Sequence, residues 1–336
     1  LGLRQAELDE ETKAFFRDAR PWAFILFREA CVSKEQAKRL CADLREAASD
    51  DALIFVDQEG GRVARLRPPE WPVFPPAAVY GALHAKSPSA ALEAVRLGYR
   101  LIAHELKAVG VNGDYAPVLD RPTDGADPVI GDRAFSRDPA LISQLGRAAL
   151  EGLHAGGVVG CIKHMPGHGR AEADSHLSLP RVNAPRAELA KDFAPFRALC
   201  DAPTAMTAHI VYDALDPDRP ATSSPFVIDT VIRGEIGFQG LLMSDDLDMK
   251  ALAPIGDLKA RAEAALNAGC DVVLQCSGKV EEMAEAVSGC RVLEGRSLER
   301  ARVAEAIARR APEALDYDAA WARFRALLAL NEGLVA

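Results

Sequence analysis

The sequence has no run approaching the roughly 18 consecutive apolar residues that a membrane-spanning helix needs, so no membrane partner is expected. It has no CxxC pair. Its seven cysteines fall irregularly, at 31, 41, 161, 200, 270, 276 and 290. An odd, unpatterned set reads as reduced thiols and not as a disulfide framework. No basic run occurs, and 40 Lys and Arg against 49 Asp and Glu leave a formal net charge of −9. Nucleic acid is therefore not an expected partner. Neither a GxGxxG nor a P-loop pattern is present, so no nucleotide or flavin cofactor is implied. Aromatics make up only 6%, and the 25 Gly and 21 Pro show none of the three-residue period of a collagen-like chain. The opening LGLRQAELDEETKAFF is charged and lacks the apolar core of a signal peptide, so the expected compartment is the cytoplasm.

What is present suits a globular chain: 49% hydrophobic and 26% charged residues over 336 positions. Seven short apolar runs recur: 23–27, 52–57, 111–117, 158–164, 204–210, 240–246 and 271–276. Each is bounded by Gly, Pro or a polar residue, as fully buried parallel strands are. Amphipathic stretches lie between them. Ser33 reads as an N-cap, with Gln36 completing a capping-box pattern, and ALEAVRLGYRLIAHELKAVG and PALISQLGRAALEGLHAGG end in glycine stops. An eighth candidate strand lies near CRVLEG, 290–295. The alternation predicts a single (β/α)₈ barrel with its core at about 20–300, and a doubly wound sheet is the runner-up. The helical tail, SLERARVAEAIARRA and DAAWARFRALLALN, is expected on the outside of the barrel.

In such a barrel the chemistry sits where strands run out at their C-terminal ends. Ionisable residues gather there: Asp57-Gln58-Glu59, Lys163-His164, His209, and Ser244-Asp245-Asp246. That concentration favours an enzyme over a binding module. The richest segment, 163–180, carries His164, His168, Asp174 and His176. Three readings compete for it. His164 and His168 at i, i+4 would suit a metal on a helix, but Pro166, Gly167 and Gly169 argue against a helix, and neither HExxH nor a thiolate pattern supports zinc. Polar side chains in a Gly-rich loop could simply satisfy backbone groups. Alternatively, Asp174 and His176 form an acid/base dyad, the carboxylate fixing the imidazole tautomer and raising its pKa.

Asp245 follows an apolar strand, where a carboxylate can be metal ligand, base or nucleophile. Asp246 and Asp248 are its rivals, with capping of the next segment as their ordinary role. Asp57 lies in a loop whose Gly60 and Gly61 permit close backbone approach, and Arg65 could reach the same pocket. Arg62 reads equally as a surface residue. Arg133 either tightens its long loop or reaches the pocket. Lys163, in a buried strand, needs a partner or a ligand.

The segments DQEGGRVARL (57–66), GDRAF (131–135), KHMPGHGRAEADSH (163–176) and GLLMSDDLDM (240–249) resemble the motifs of glycoside hydrolase family 3, in family order. The likeness is closest to its bacterial β-N-acetylglucosaminidase (β-hexosaminidase) branch and runs from about residue 20 to about 280. The resemblance implies a single barrel domain over 1–336, without a second α/β sandwich domain. It implies an exo-acting retaining hydrolase that removes non-reducing terminal N-acetylglucosamine (GlcNAc). The implied substrate is the small molecule GlcNAc-1,6-anhydro-MurNAc, with or without peptide, in peptidoglycan recycling. It casts Asp245 as nucleophile, His176 as general acid/base and Asp174 as its orienting partner. Asp57, Arg65, Arg133, Lys163 and His164 match sugar-binding positions. No metal or other cofactor is implied, and a monomer is the default. Met165 stands where the family usually has Phe, a change expected to repack and not to inactivate. Phosphorolysis at the same site, and a silent sugar-binding barrel, are the alternatives.

Overall fold

The computed structural model describes residues 1–173, 175 and 178–331. Eight strands pair in chain order: β1 (Gly2–Leu3), β2 (Ala23–Leu26), β3 (Leu53–Val56), β4 (Gly113–Asp114), β5 (Val159–Met165), β6 (Thr204–Thr207), β7 (Leu241–Asp246) and β8 (Val272–Leu274). Every pairing is parallel. The two ends of the sheet meet, because the Gly2 N–H donates to the Gln275 carbonyl at 2.7 Å, just past β8. A Cβ on Gly2 would stand 2.7 Å from the Cys276 Cα, so glycine is what lets the seam close. A doubly wound sheet would reverse its strand order at a switch point. Here the order runs straight through and returns on itself, which is a (β/α)₈ barrel.

All seven apolar runs are barrel strands. The eighth strand is not near residue 290. Residues 291–294 are irregular chain leading into helix Gly295–Ala308, and Val292 is 82% exposed. The missing strand is β1, ahead of the expected start at residue 20. Two residues, one a glycine, make no hydrophobic run to be read. The Ser33 cap is present, its hydroxyl accepting the Gln36 N–H at 3.2 Å. Gln36 does not complete the box as expected. Its Oε1 accepts the Val32 N–H at 2.9 Å, while its Nε2 donates to the Ala6 and Ala30 carbonyls. The side chain thus ties three chain segments together.

Strand residues are buried on both faces, as parallel strands between an interior and a helical ring must be. Leu53 and Phe55 of β3 face the interior cluster with Tyr115, Cys161, Met206 and Met243. Ile54 and Val56 face the helices. Phe55 and Tyr115 stack with centroids 4.7 Å apart, filling the barrel axis. The tail divides. Helix Tyr317–Ala329 packs outside, with Phe324 against Tyr80. Helix Gly295–Ala308 instead covers the N-terminal mouth, where Ala301, Ala304 and Ile307 join the interior cluster.

A buried carboxylate fastens that plug. Asp271, just before β8, accepts from Arg233 and Arg300 at 2.8 Å each, from the Ser297 hydroxyl at 2.6 Å, and from the Leu242 N–H at 2.8 Å. Asp271→Ala leaves two cations without their partner, so it should lower the unfolding free energy by about 3–5 kcal/mol. Urea titration followed by circular dichroism measures this; a loss below about 1 kcal/mol, the range of a surface pair, would contradict it.

Candidate active site

The site grows from the C-terminal ends of β3, β5 and β7. Asp57 follows β3 and leads into a tight hairpin, Gln58–Gly60 against Val63–Ala64. Gly60 and Gly61 have φ of +97° and +59°. A Cβ on Gly60 would lie 2.3 Å from the Pro75 carbonyl oxygen. The glycines therefore admit the chain's own Pro75–Pro76 segment. Gln58 then sets the next turn: its Oε1 accepts the N–H groups of Arg65 and Leu66, and its Nε2 donates to the Leu66 carbonyl. This brings Arg65 back over Asp57.

Five charged side chains interlock here. The Lys163 amine, 2% exposed, donates to Asp57 Oδ1 at 2.8 Å and lies 2.7 Å from Glu59 Oε1. Arg65 Nη2 reaches Asp57 Oδ2 at 2.8 Å. Arg133 grips Glu59 with two parallel bonds, Nε to Oε2 and Nη2 to Oε1, each 2.8 Å. That bidentate geometry is the strong form of the pair. Burial alone would raise the Asp57 carboxyl, but Lys163 and Arg65 outweigh it and hold it well below the usual range. Burial likewise opposes ionisation of Glu59, and Arg133 and Lys163 again prevail. Burial would lower the Lys163 amine; the two carboxylates push it above its ordinary value. Two negative and three positive groups leave one net positive charge under the barrel mouth.

Asp57, Arg65, Arg133 and Lys163, which the family resemblance casts as sugar-binding, thus come together, and the partner that Lys163 needs is supplied by the protein. Glu59 completes the set, although its sequence position alone gave it no role. Its partner Arg133 lies 74 residues away and reveals itself only in the fold. Arg133 also ties down its own loop, its Nη1 donating to the Val129 carbonyl at 3.2 Å. Arg62 is the surface residue: it pairs with exposed Asp132 and bonds the carbonyls of 128–130.

His164 stands beside this cradle through a second residue without a sequence signal, Asp120. Asp120 is fully buried. Its Oδ2 lies 2.7 Å from His164 Nδ1, and its Oδ1 accepts the N–H groups of His164 and His168. The bond leaves His164 Nε2 as the nitrogen for other partners. His168 turns its own Nε2 to the Ser175 hydroxyl at 3.1 Å. Burial lowers the His168 pKa to about 4, so the ring is neutral near pH 7. The bland reading of His168 as a structural loop residue is the one its contacts fit. Among the described residues no three His, Cys, Asp or Glu side chains converge as metal ligands. Met165 is fully buried in a cluster with Phe193 and Phe196. Asp174 and His176, the expected dyad, lie outside the described residues.

At the end of β7 the three aspartates divide. Asp246 Oδ1 accepts the N–H groups of Asp248 and Cys276, each at 3.1 Å. Burial raises its pKa to about 7. Asp248 Oδ2 accepts from Gln275 at 3.0 Å. Asp246 thus caps the turn at Asp248, but Asp248 does not cap the next segment as expected: the N-cap of Lys250–Ile255 is Met249, without a side-chain bond, and Asp248 reaches across to Gln275 instead. Asp245 is half-buried, and its Oδ1 accepts the Asp246 N–H at 2.8 Å. Its charge acts on Tyr115 and Cys161 inside the barrel and on His168 and His209 at the rim. In an eight-strand ring β7 lies opposite β3, so Asp245 faces the Asp57 cradle across the barrel mouth.

A carboxylate facing a cationic, hydrogen-bonding cradle across a barrel mouth suits a polyhydroxyl substrate. Comparison with known proteins decides the family. The model of the glycosyl hydrolase family 3 N-terminal domain matches residues 2–310. The chain belongs to glycosyl hydrolase family 3. It is 41% identical to a β-hexosaminidase of Tolumonas auensis over 288 residues, 84% of each chain. It is 39% identical to a β-hexosaminidase of Bordetella avium, covering 81% of this chain and 78% of that one. The structure of NagZ from Neisseria gonorrhoeae in complex with N-trifluoroacetyl-D-glucosamine superposes with a TM-score of 0.84 at 34% identity, covering 100% and 97% of the two chains. The protein is therefore a glycoside hydrolase of the β-hexosaminidase type. Among the described residues no helix is long and apolar enough to cross a membrane.

Two measurements test the electrostatics. Lys163→Met removes the cation shared by Asp57 and Glu59 and should cost about 3–5 kcal/mol of stability; a stability change under about 1 kcal/mol in urea titration, the value of an exposed pair, would refute it. His168 is protonated in the unfolded chain below about pH 6.5 but stays neutral in the folded one down to about 4. Its contribution is therefore intact above pH 6.5 and lost as pH falls toward 4, by up to about 3 kcal/mol. His168→Gln should flatten the decline in unfolding free energy between pH 7 and 4.5, and an unchanged slope would contradict this assignment.

Proposed function

We propose that this β-hexosaminidase is an exo-acting retaining β-N-acetylglucosaminidase, with GlcNAc-1,6-anhydro-MurNAc and its peptides as substrate. The observation that supports the reading is the arrangement of charge at the mouth: Asp245, at the end of β7, stands opposite the cradle that Asp57, Glu59, Arg65, Arg133 and Lys163 form at the ends of β3 and β5. The cradle of Asp57, Arg65, Arg133, Lys163 and His164 holds the hydroxyls of the terminal sugar. Its ionised carboxylate, Asp57, accepts from hydroxyl groups, and its cations donate. The relative solved with N-trifluoroacetyl-D-glucosamine supports GlcNAc as that sugar.

Retaining hydrolysis proceeds in two displacements through an oxocarbenium-like transition state. In the first, the Asp245 carboxylate attacks the anomeric carbon. His176, protonated and oriented by Asp174, gives its proton to the glycosidic oxygen as the C–O bond breaks. A glycosyl ester of Asp245 and the free aglycone result. In the second, neutral His176 takes a proton from water as the water oxygen attacks the same carbon. The ester bond breaks and Asp245 leaves as carboxylate. Two inversions return the β configuration. The cradle's paired charges stay fixed throughout, and the positive charge that develops at the ring is met by the Asp245 carboxylate.

Proton NMR of the fresh product from p-nitrophenyl β-N-acetylglucosaminide tests the scheme. β-GlcNAc should appear before its α anomer, and Asp245→Ala should lose at least about 10³-fold in kcat, the scale of removing an activated nucleophile. The α anomer appearing first, or near-normal rates in Asp245→Ala, would sink the covalent mechanism. A sugar 1-phosphate formed in phosphate buffer would turn the assignment to phosphorolysis.

A further inference from the structure

The ladder between β6 and β7 stops short of the acidic residues. Its register pairs are Leu241 with Thr204, Leu242 with Ala205 and Met243 with Met206. On the other side, β7 shifts register against β8 between Met243 and Asp246. Asp245 thus sits in a stretch that the regular ladder no longer supports. One buried side chain takes over. His209, just past β6 and fully buried, places Nε2 at 2.9 Å from the Asp246 carbonyl. A carbonyl only accepts, so this nitrogen carries the proton.

The other ring nitrogen has a partner as well. His209 Nδ1 lies 2.7 Å from Thr222 Oγ1, and Thr222 Oγ1 lies 2.8 Å from Thr207 Oγ1. The Thr222 hydroxyl has one hydrogen and two acceptors in reach, His209 Nδ1 at 2.7 Å and the Ala208 carbonyl at 3.1 Å; in a neutral ring Nδ1 accepts, so the shorter contact takes the proton and Thr207 donates to Thr222. Burial lowers the His209 pKa, in keeping with the neutral ring. All three side chains are fully buried. Asp246 is held at its carbonyl by this relay. Its own N–H holds Asp245 Oδ1 at 2.8 Å, and its carboxylate is held by the Asp248 and Cys276 N–H groups.

We infer that His209, with Thr222 and Thr207 behind it, is a positioning residue that aims the Asp245 carboxylate through the backbone of Asp246. The inference rests on Asp245 as nucleophile. Both His209 ring nitrogens are engaged by the protein itself, so its loss should reduce turnover and spare binding. Gln can mimic the relay, because its Nε2 donates and its Oε1 accepts; Leu can do neither.

The test is steady-state kinetics on p-nitrophenyl β-N-acetylglucosaminide, together with covalent labelling by a 5-fluoro glycosyl fluoride of GlcNAc read by peptide mass spectrometry. His209→Leu should lower kcat about 10–100-fold, the effect of an ångström-scale misplacement, with KM within about threefold. His209→Gln should recover most of that loss. The label should appear on Asp245 more slowly in His209→Leu, in proportion to kcat. Should His209→Leu fail to fold by circular dichroism, Thr222→Val decides alone, with a kcat loss of at least about threefold at unchanged KM supporting the relay. Wild-type kcat in His209→Leu or, where that variant does not fold, in Thr222→Val, or equal losses in His209→Leu and His209→Gln with KM rising in parallel, would overturn the inference. Label on a residue other than Asp245 would instead overturn the nucleophile assignment on which it stands.

Discussion

The Lys163 amine is the constraint around which the site is built. Taking one ammonium out of water is costly, and only carboxylates in contact can offset it. Asp57 and Glu59 both touch it, at 2.8 and 2.7 Å. Two carboxylates on one cation would in turn be undercompensated, and Arg65 and Arg133 supply the remaining charge from outside. Each member is thus buried on condition that the others are. The strand ends fix their spacing, because Lys163 lies in β5 and Asp57 directly follows β3. The parallel order of β3, β4 and β5 brings these two strand ends to one mouth with β4 between them.

That mutual dependence explains what the chain discloses and what it hides. Buried parallel strands disclose themselves, since both of their faces are apolar and the runs are bounded by polar or flexible residues. Seven strands were legible for that reason. The eighth was not, because β1 is two residues long and does its work with a backbone N–H and the absence of a side chain at Gly2. The apparent strand at 290–295 had Val and Leu but no barrel edge left to pair with. In the site, residues with a chemical signature at a strand end were legible: Asp57, Lys163, His164 and Asp245. Glu59 and Asp120 were not. Each acquires its role from a partner 44 or more residues away, and local spacing carries no trace of such a pair.

The carboxylates also show how position settles charge. Asp57 and Glu59 sit against cations and stay ionised. Asp114, one strand over and fully buried, accepts the Gln58 N–H and feels the Lys163 charge, but burial outweighs both and raises its pKa to about 8. Asp246 keeps two backbone N–H groups and rises to about 7. The same functional group is thus held as an anion or as an acid within one barrel mouth, according to whether cations or neutral dipoles face it.

This sorting bears on how a nucleophile is presented. A carboxylate bound tightly by cations would be too stable an anion to attack. A carboxylate buried without support would be protonated. Asp245, which we propose as that nucleophile, is half-buried, with the Asp246 N–H on one oxygen and the cationic cradle across the mouth. Its neighbours carry the structural load that a strand end imposes, Ser244 by accepting the Leu274 N–H at 3.0 Å and Asp246 by holding the loop. Those duties fall on residues 244 and 246, on either side of the carboxylate proposed as nucleophile.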